Sequence, residues 1–166
     1  HRGMEVARAN DIGHALGATG NQSEALAKSR YDFDDIACLD MGDFVGGLLK
    51  YLRKNPIPKI TLAGGFAKFT KLAQGAIDLH SARSQVDFKL LAEWGHSCGM
   101  DFEAIIKANS ALEVLQSASE EQKKALCQII SQRAHEKVKG LLRDADIEVE
   151  ILLVSRDGAF LSDYKG

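Results

Sequence analysis

Residues 61–81 read TLAGGFAKFTKLAQGAIDLHS. A short β-type run meets two glycines, Gly64 and Gly65, and the apolar period then changes. Phe66, Phe69, Leu72, Ala73, Ala76 and Ile77 recur at helical spacing, with Lys68 and Lys71 one turn apart and His80 and Ser81 following. A strand that runs through glycine into a helix is the repeating unit of an α/β sheet. The helix start exposes unpaired N–H groups and the positive end of a dipole. Glycine lets an anion come close to both. Gly64, Gly65, Lys68 and Lys71 are therefore a candidate cradle for a carboxylate or phosphate. The same residues also serve as a plain tight turn followed by a solvated helix face.

Working outward, the pattern repeats on both sides. HALGAT (14–19) is short and apolar, and GNQSEALAKSRY starts a helix in which Asn21 and Glu24 form a plausible capping pair. IACLDM (36–41) reads as a buried strand; Gly42 turns, Asp43 can cap, and FVGGLLKYLRKN continues as a helix until Pro56 and Pro58 forbid it. Helices are predicted over 86–96, 101–115 and 119–143, the last with a Ser119–Gln122 capping box. IEVEILLVS (147–155) is a final strand, and Asp157–Gly158 can turn it into a hairpin with AFLSDY. A further helix is predicted over 1–9. The expected fold is α/β: a small, mostly parallel sheet of about four strands plus a hairpin strand, with helices on both faces. We expect a single domain over residues 1–166.

The 166 residues are 45% hydrophobic and 27% charged with a net charge of −2, which suits one globular domain and gives no support to nucleic-acid or membrane-surface binding. Cys38, Cys98 and Cys127 are widely spaced, no CxxC pair is present, and no apolar run nears the ~20 residues of a membrane span. These features, with no signal peptide, predict a cytoplasmic protein. The start at His1, within an apparent helix, suggests a piece of a longer chain.

Three strands end in glycine just before a helix. In an open α/β sheet, ligands sit outside the carboxyl ends of the strands, so these turns should share one edge. In the first turn, Thr19, Asn21 and Ser23 beside Gly20 can hydrogen-bond a ligand, and Glu24 can take a ribose hydroxyl or an amine; helix capping explains two of them equally well. In the second, Asp40 ends an apolar strand, where a carboxylate is costly unless it is paired or faces a ligand. His80 can act as acid, base or donor near neutrality. His96 and Cys98 lack further ligands nearby, so no metal site is expected. GxGxxG, GxxxxGK[ST] and GxSxG are all absent. From the residues alone, the reading ends at an α/β domain with a polar, glycine-lined edge suited to an anion.

The segments HRGMEVARA (1–9), ATGNQSE (18–24), LDMGDFVG (39–46), GGFAKFTKLAQGAIDLHS (64–81) and EVEILLVSRDGAFL (148–161), in this order, resemble the C-terminal part of the CbiD family. The similarity covers nearly the whole chain, and the fourth segment is the most specific. These are cobalt-precorrin-5B (C1)-methyltransferases of cobalamin biosynthesis. The resemblance implies S-adenosylmethionine as methyl donor, a cobalt-bound acidic tetrapyrrole as substrate, no other metal, and a large N-terminal domain as partner. A second copy of the chain is a further partner compatible with the sequence.

The resemblance also suggests roles. Gly64, Gly65, Lys68 and Lys71 would receive the macrocycle's acetates and propionates, with Ser81 beside them. Thr19, Gly20, Asn21, Ser23, Glu24, Asp40, Gly42 and Asp43 would surround the methyl donor, the carboxylates answering its sulfonium, amine or ribose. Methyl transfer needs positioning above all. No general base is required where the ring carbon is already nucleophilic, and His80 is the candidate for orienting substrate or managing a proton. The alternative is a non-catalytic tetrapyrrole-binding or assembly module.

Overall fold

The computed structural model describes residues 13–166; the helix expected over 1–9 lies outside them. Five strands, β1 (His14–Ala18), β2 (Cys38–Asp40), β3 (Lys59–Gly65), β4 (Glu148–Val154) and β5 (Phe160–Tyr164), form one sheet in the order β2-β1-β3-β4-β5. β1 to β4 pair in parallel, and β5 returns antiparallel to β4 through the Asp157–Gly158 turn. Among the described residues, seven α-helices lie between: α1 (Asn21–Arg30), α2 (Val45–Lys54), α3 (Phe66–Ala73), α4 (Phe88–Ser97), α5 (Phe102–Ile106), α6 (Ala111–Ser117) and α7 (Glu120–Leu142). The expected α/β class, parallel sheet and terminal hairpin are all present.

Period-two alternation decides which face each strand residue joins. Ile60, Leu62, Val149, Ile151 and Leu153 point into the main core with α2, α3 and α7. Their neighbours Leu16, Ala63, Leu152 and Val154 meet Ala27 of α1 on the opposite face. Helices therefore cover both faces, as expected.

That second face also carries a polar row. Thr61 and Glu150 are cross-strand partners with no exposed surface. Thr61 Oγ1 donates to Glu150 Oε1 at 2.9 Å, and Tyr31, just past α1, donates to Oε2 at 2.7 Å. His14 Nε2 lies 2.7 Å from Thr61 Oγ1. With the single hydroxyl proton given to Glu150, the imidazole must donate through Nε2. Burial, reinforced by Lys59, lowers the His14 pKa and favours that neutral form.

Local details depart from the sequence reading where side chains found other partners. The cap of α1 is Gly20 rather than Asn21. Ser23 Oγ accepts from the Gly20 N–H at 3.2 Å and donates to its carbonyl at 3.0 Å, while Glu24 pairs with Lys28 at 3.4 Å. The helix after β3 stops at Ala73, because Gly75 takes a left-handed φ of 103° and leaves Ala76 and Ile77 outside. The predicted 101–115 helix is two, since Ser110 caps a new start by accepting from the Glu113 N–H. The Ser119–Gln122 box on α7 forms as predicted. The three cysteines are free, and burial pushes the Cys127 thiol up to about 12.

Candidate functional site at the carboxyl edge of the sheet

Parallel pairing brings the strand ends to one edge. Ala18 is in register with Asp40 on one side and Ala63 on the other, and Gly65 is in register with Val154. Two clefts open along this rim. They share only Thr19, Gly20 and Asn21, the turn from β1 into α1.

The larger cleft, about 700 Å³, lies beyond β1, β3 and β4. Its apolar walls come from Phe66, Leu112, Leu115, Val154 and Leu161. The first residues of both α1 and α3 (Asn21 and Gln22, Phe66 and Ala67) border it, so two positive helix ends converge there. Lys68, Lys123 and Arg156 add three cations against the single carboxylate of Asp157. Lys68 is already engaged, 2.6 Å from Asp43. Among the described residues, Lys123 and Arg156 form no salt bridge. A cavity of this size with apolar walls and a few charged groups is the usual form of a small-molecule site.

The smaller cleft, about 290 Å³, lies beyond β1 and β2. Among the described residues its charged lining is acidic only: Glu24, tied to Lys28, and Asp40. Gly42, with φ of 56°, turns the chain at its margin and suits a residue without Cβ. Burial pushes the Cys38 thiol, also in this lining, above its ordinary value.

The rim thus gathers Thr19, Gly20, Asn21, Ser23 and Gly65 with Lys68 at the larger cleft, and Glu24, Asp40 and Gly42 at the smaller. Asp43 borders neither; it holds Lys68 and, through its carbonyl, the Leu79 N–H at 2.7 Å. Three further residues sit differently from the sequence reading. Gly64 is buried under the Phe69 ring, so its missing side chain makes room for packing rather than for a ligand. His80 and Ser81 line neither cleft. The His80 Nδ1 accepts from the Ala82 N–H at 3.0 Å, and its carbonyl receives Arg83 and Ser84 in a local turn.

Lys71 is the clearest correction. Its side chain is inside the fold, and Nζ donates to the carbonyls of Leu79 at 2.5 Å and Ser84 at 3.3 Å. Burial lowers its pKa, with Asp43 pulling the other way. The ammonium satisfies the backbone of the 79–84 turn, which leaves none of its charge at the rim. Lys71→Met should therefore lower unfolding stability by about 1–3 kcal/mol, because two carbonyls lose a charged donor. Lys68→Ala, which breaks a half-exposed ion pair, should cost less than about 1 kcal/mol. Urea unfolding of the two variants checks this, and equal small effects would restore Lys71 to the solvated face.

Sequence reasoning missed Lys123 and Arg156. Arg156 was within reach, because VSRDG follows β4 and the rule that drew attention to the other strand ends applies to it too. Lys123 sits in the first turn of α7, where nothing in the local pattern sets it apart. Among the described residues no His, Cys, Asp and Glu side chains gather as a metal site, and no helix is long and apolar enough to cross a membrane.

The sheet order and the rim define a doubly wound α/β fold with a candidate ligand site at its carboxyl edge. The family model described as CbiD, C-terminal domain, matches residues 78–165, and the chain belongs to the CbiD family. It is 49% identical over 165 residues to a Brucella anthropi protein, 46% over 168 to one of Methylorubrum extorquens, and 48% over 166 to one of Brucella abortus. All three relatives are named cobalt-precorrin-5B C(1)-methyltransferase. These alignments take in 98%, 99% and 98% of this chain but only 45%, 46% and 45% of the relatives, so the chain spans less than half their length. No solved structure matches.

Proposed function

We propose that this chain supplies part of the site of an S-adenosylmethionine-dependent methyltransferase that acts on C1 of cobalt-precorrin-5B, giving cobalt-precorrin-6A in cobalamin biosynthesis. The names of the relatives support the reaction, and one feature of the structure supports the substrate class. The larger cleft pairs apolar walls with two helix starts and unpaired cations, in a protein of net charge −2. A corrin precursor has the complementary surface: an apolar macrocycle edged with acetates and propionates. Its cobalt enters as part of the substrate.

When bound, the methyl donor would supply an electrophilic methyl carbon to C1 and would leave as the neutral thioether S-adenosylhomocysteine. The chain's own part is binding and orientation. Lys123, Arg156 and the N–H groups opening α1 and α3 take carboxylates, while Leu112, Leu115 and Leu161 exclude water from the ring face. Gly65 leaves the backbone open at the centre of the cleft. Lys68 is oriented by Asp43 at its margin. No residue is assigned as a general base, and His80, with Nδ1 already bonded, is not placed at the reacting carbon. The remaining wall comes from the portion of the relatives that this chain does not span, so the isolated chain is expected to fold without catalysing turnover.

The test uses a full-length enzyme carrying this chain. Lys123→Ala and Arg156→Ala should each raise the dissociation constant for the tetrapyrrole roughly tenfold, as loss of a charge-assisted contact does. Affinity for S-adenosylhomocysteine should hold. Unchanged tetrapyrrole affinity in both variants would place the macrocycle elsewhere, and failure of the parent enzyme to methylate cobalt-precorrin-5B would end the reading.

A further inference from the structure

We propose that the smaller cleft is the nucleoside pocket of the methyl donor, with the Asp40 carboxylate accepting the two ribose hydroxyls. The inference rests on the methyltransferase reading above and assigns the donor and the acceptor to separate clefts.

Topology gives the first argument. In a sheet ordered β2-β1-β3, growth reverses between β1 and β3, so the turn after β1 stands at the switch, and the smaller cleft lies on the β2 side of that turn. In nucleotide-binding sheets of this kind the turn after β1 holds the middle of the ligand. An acidic residue about 20 positions further on meets the ribose. Here that turn contains Gly20, and Asp40 ends β2 beside it, in register with Ala18. No phosphate motif accompanies the turn, which suits a nucleoside whose 5′ substituent is not a phosphate.

The chemistry of the lining gives the second. Asp40 is exposed and, among the described residues, makes no ion pair, so its oxygens are available. An ionised carboxylate only accepts hydrogen bonds, and a vicinal diol presents two donors. Leu16, Leu39 and Met41 lie at its base, each less than a tenth exposed. A Cβ placed on Gly20 or Gly42 would meet no atom within 4 Å, so neither edge is blocked.

Charge gives the third argument, and it separates the two ligands. Among the described residues, the smaller cleft is lined by carboxylates and by no lysine or arginine, with Lys28 paired to its Glu24, whereas the larger has three cations and one carboxylate. A donor bearing a sulfonium and an ammonium is favoured in the first and opposed in the second. A polycarboxylate macrocycle has the reverse preference. Donor and acceptor then meet at Thr19, Gly20 and Asn21, the residues common to both.

Calorimetry on a full-length enzyme carrying this chain tests the assignment with S-adenosylhomocysteine and its 2′-deoxy analogue. Asp40→Asn should weaken S-adenosylhomocysteine roughly tenfold or more and should lose the parent's preference for the ribose over the deoxyribose form. The urea midpoint should not move, since the side chain is exposed. Tetrapyrrole affinity should stay as in the parent. Tight, ribose-selective binding by Asp40→Asn overturns the pocket while leaving the methyltransferase reading intact, and so does loss of S-adenosylhomocysteine in Lys123→Ala or Arg156→Ala. A parent enzyme that binds no S-adenosylhomocysteine overturns the methyltransferase reading, and the pocket with it.

Discussion

Gly64→Val is expected to lower the unfolding free energy by about 3 kcal/mol, at the upper end for overpacking a core. A Cβ built on Gly64 would lie 2.6 Å from Phe69 Cδ1 and 2.9 Å from Cζ, and closer still to Cε1. Phe69 is fully buried, so its ring has no solvent to move into. The strand cannot retreat either, because Gly64 is in register with Leu153 of β4. Something in a close-packed core must therefore shift. The most direct response is displacement of α3, whose first turn carries Phe66, Ala67 and Lys68 into the larger cleft. Gly64→Ala should show the same defect at reduced size, and adding Phe69→Leu should recover part of it. Urea midpoints for the three variants decide the matter. A wild-type midpoint in Gly64→Val would mean the ring does not sit over the strand.

Glu150→Ala should cost a similar amount, about 3 kcal/mol, for an electrostatic reason. The carboxylate is fully buried yet accepts from Thr61 and Tyr31, with Lys165 3.8 Å away at its outer edge. Truncation takes the buried acceptor away from both the Thr61 hydroxyl and the Tyr31 phenol. Glu150→Gln keeps the shape and one acceptor, so its cost should stay near about 1 kcal/mol. The phenol offers a second readout. Burial first, then the bond to Glu150, pushes the Tyr31 pKa above its ordinary value. Removing the carboxylate should bring that titration partway down while leaving the burial contribution. Equal urea midpoints for Glu150→Ala and wild type would show that the row carries no stability.

Much of the fold was legible because its signals are local. The change from strand to helical period at Gly64–Gly65, the glycines after β1 and β2, and the prolines after α2 each act within a few residues. The hairpin at Asp157–Gly158 is equally local. The errors were also local choices that a distant or equally near partner overturned. Ser23 took the cap expected of Asn21, and Ser110 restarted a helix that periodicity alone would have continued. Glu150 could be read as one more strand position, yet its polarity is explained only by Thr61, which is 89 residues away in sequence.

The sequence by itself determined that strands would alternate with helices, that the strands would be parallel, and that their glycine turns would share an edge. Parallel crossover units leave no other arrangement. Only the tertiary structure decided what that edge contains. Lys68, Lys123 and Arg156 come from α3, α7 and the hairpin, and no spacing rule links positions so far apart. Lys71, three residues from Lys68, is turned inward because packing, which sequence spacing does not record, put the carbonyls of Leu79 and Ser84 within its reach. The division of the rim into an acidic and a basic cleft follows from strand order and helix placement, since β2 lies outside β1 and brings Asp40 to one side while α3, α7 and the β4–β5 turn bring the cations to the other.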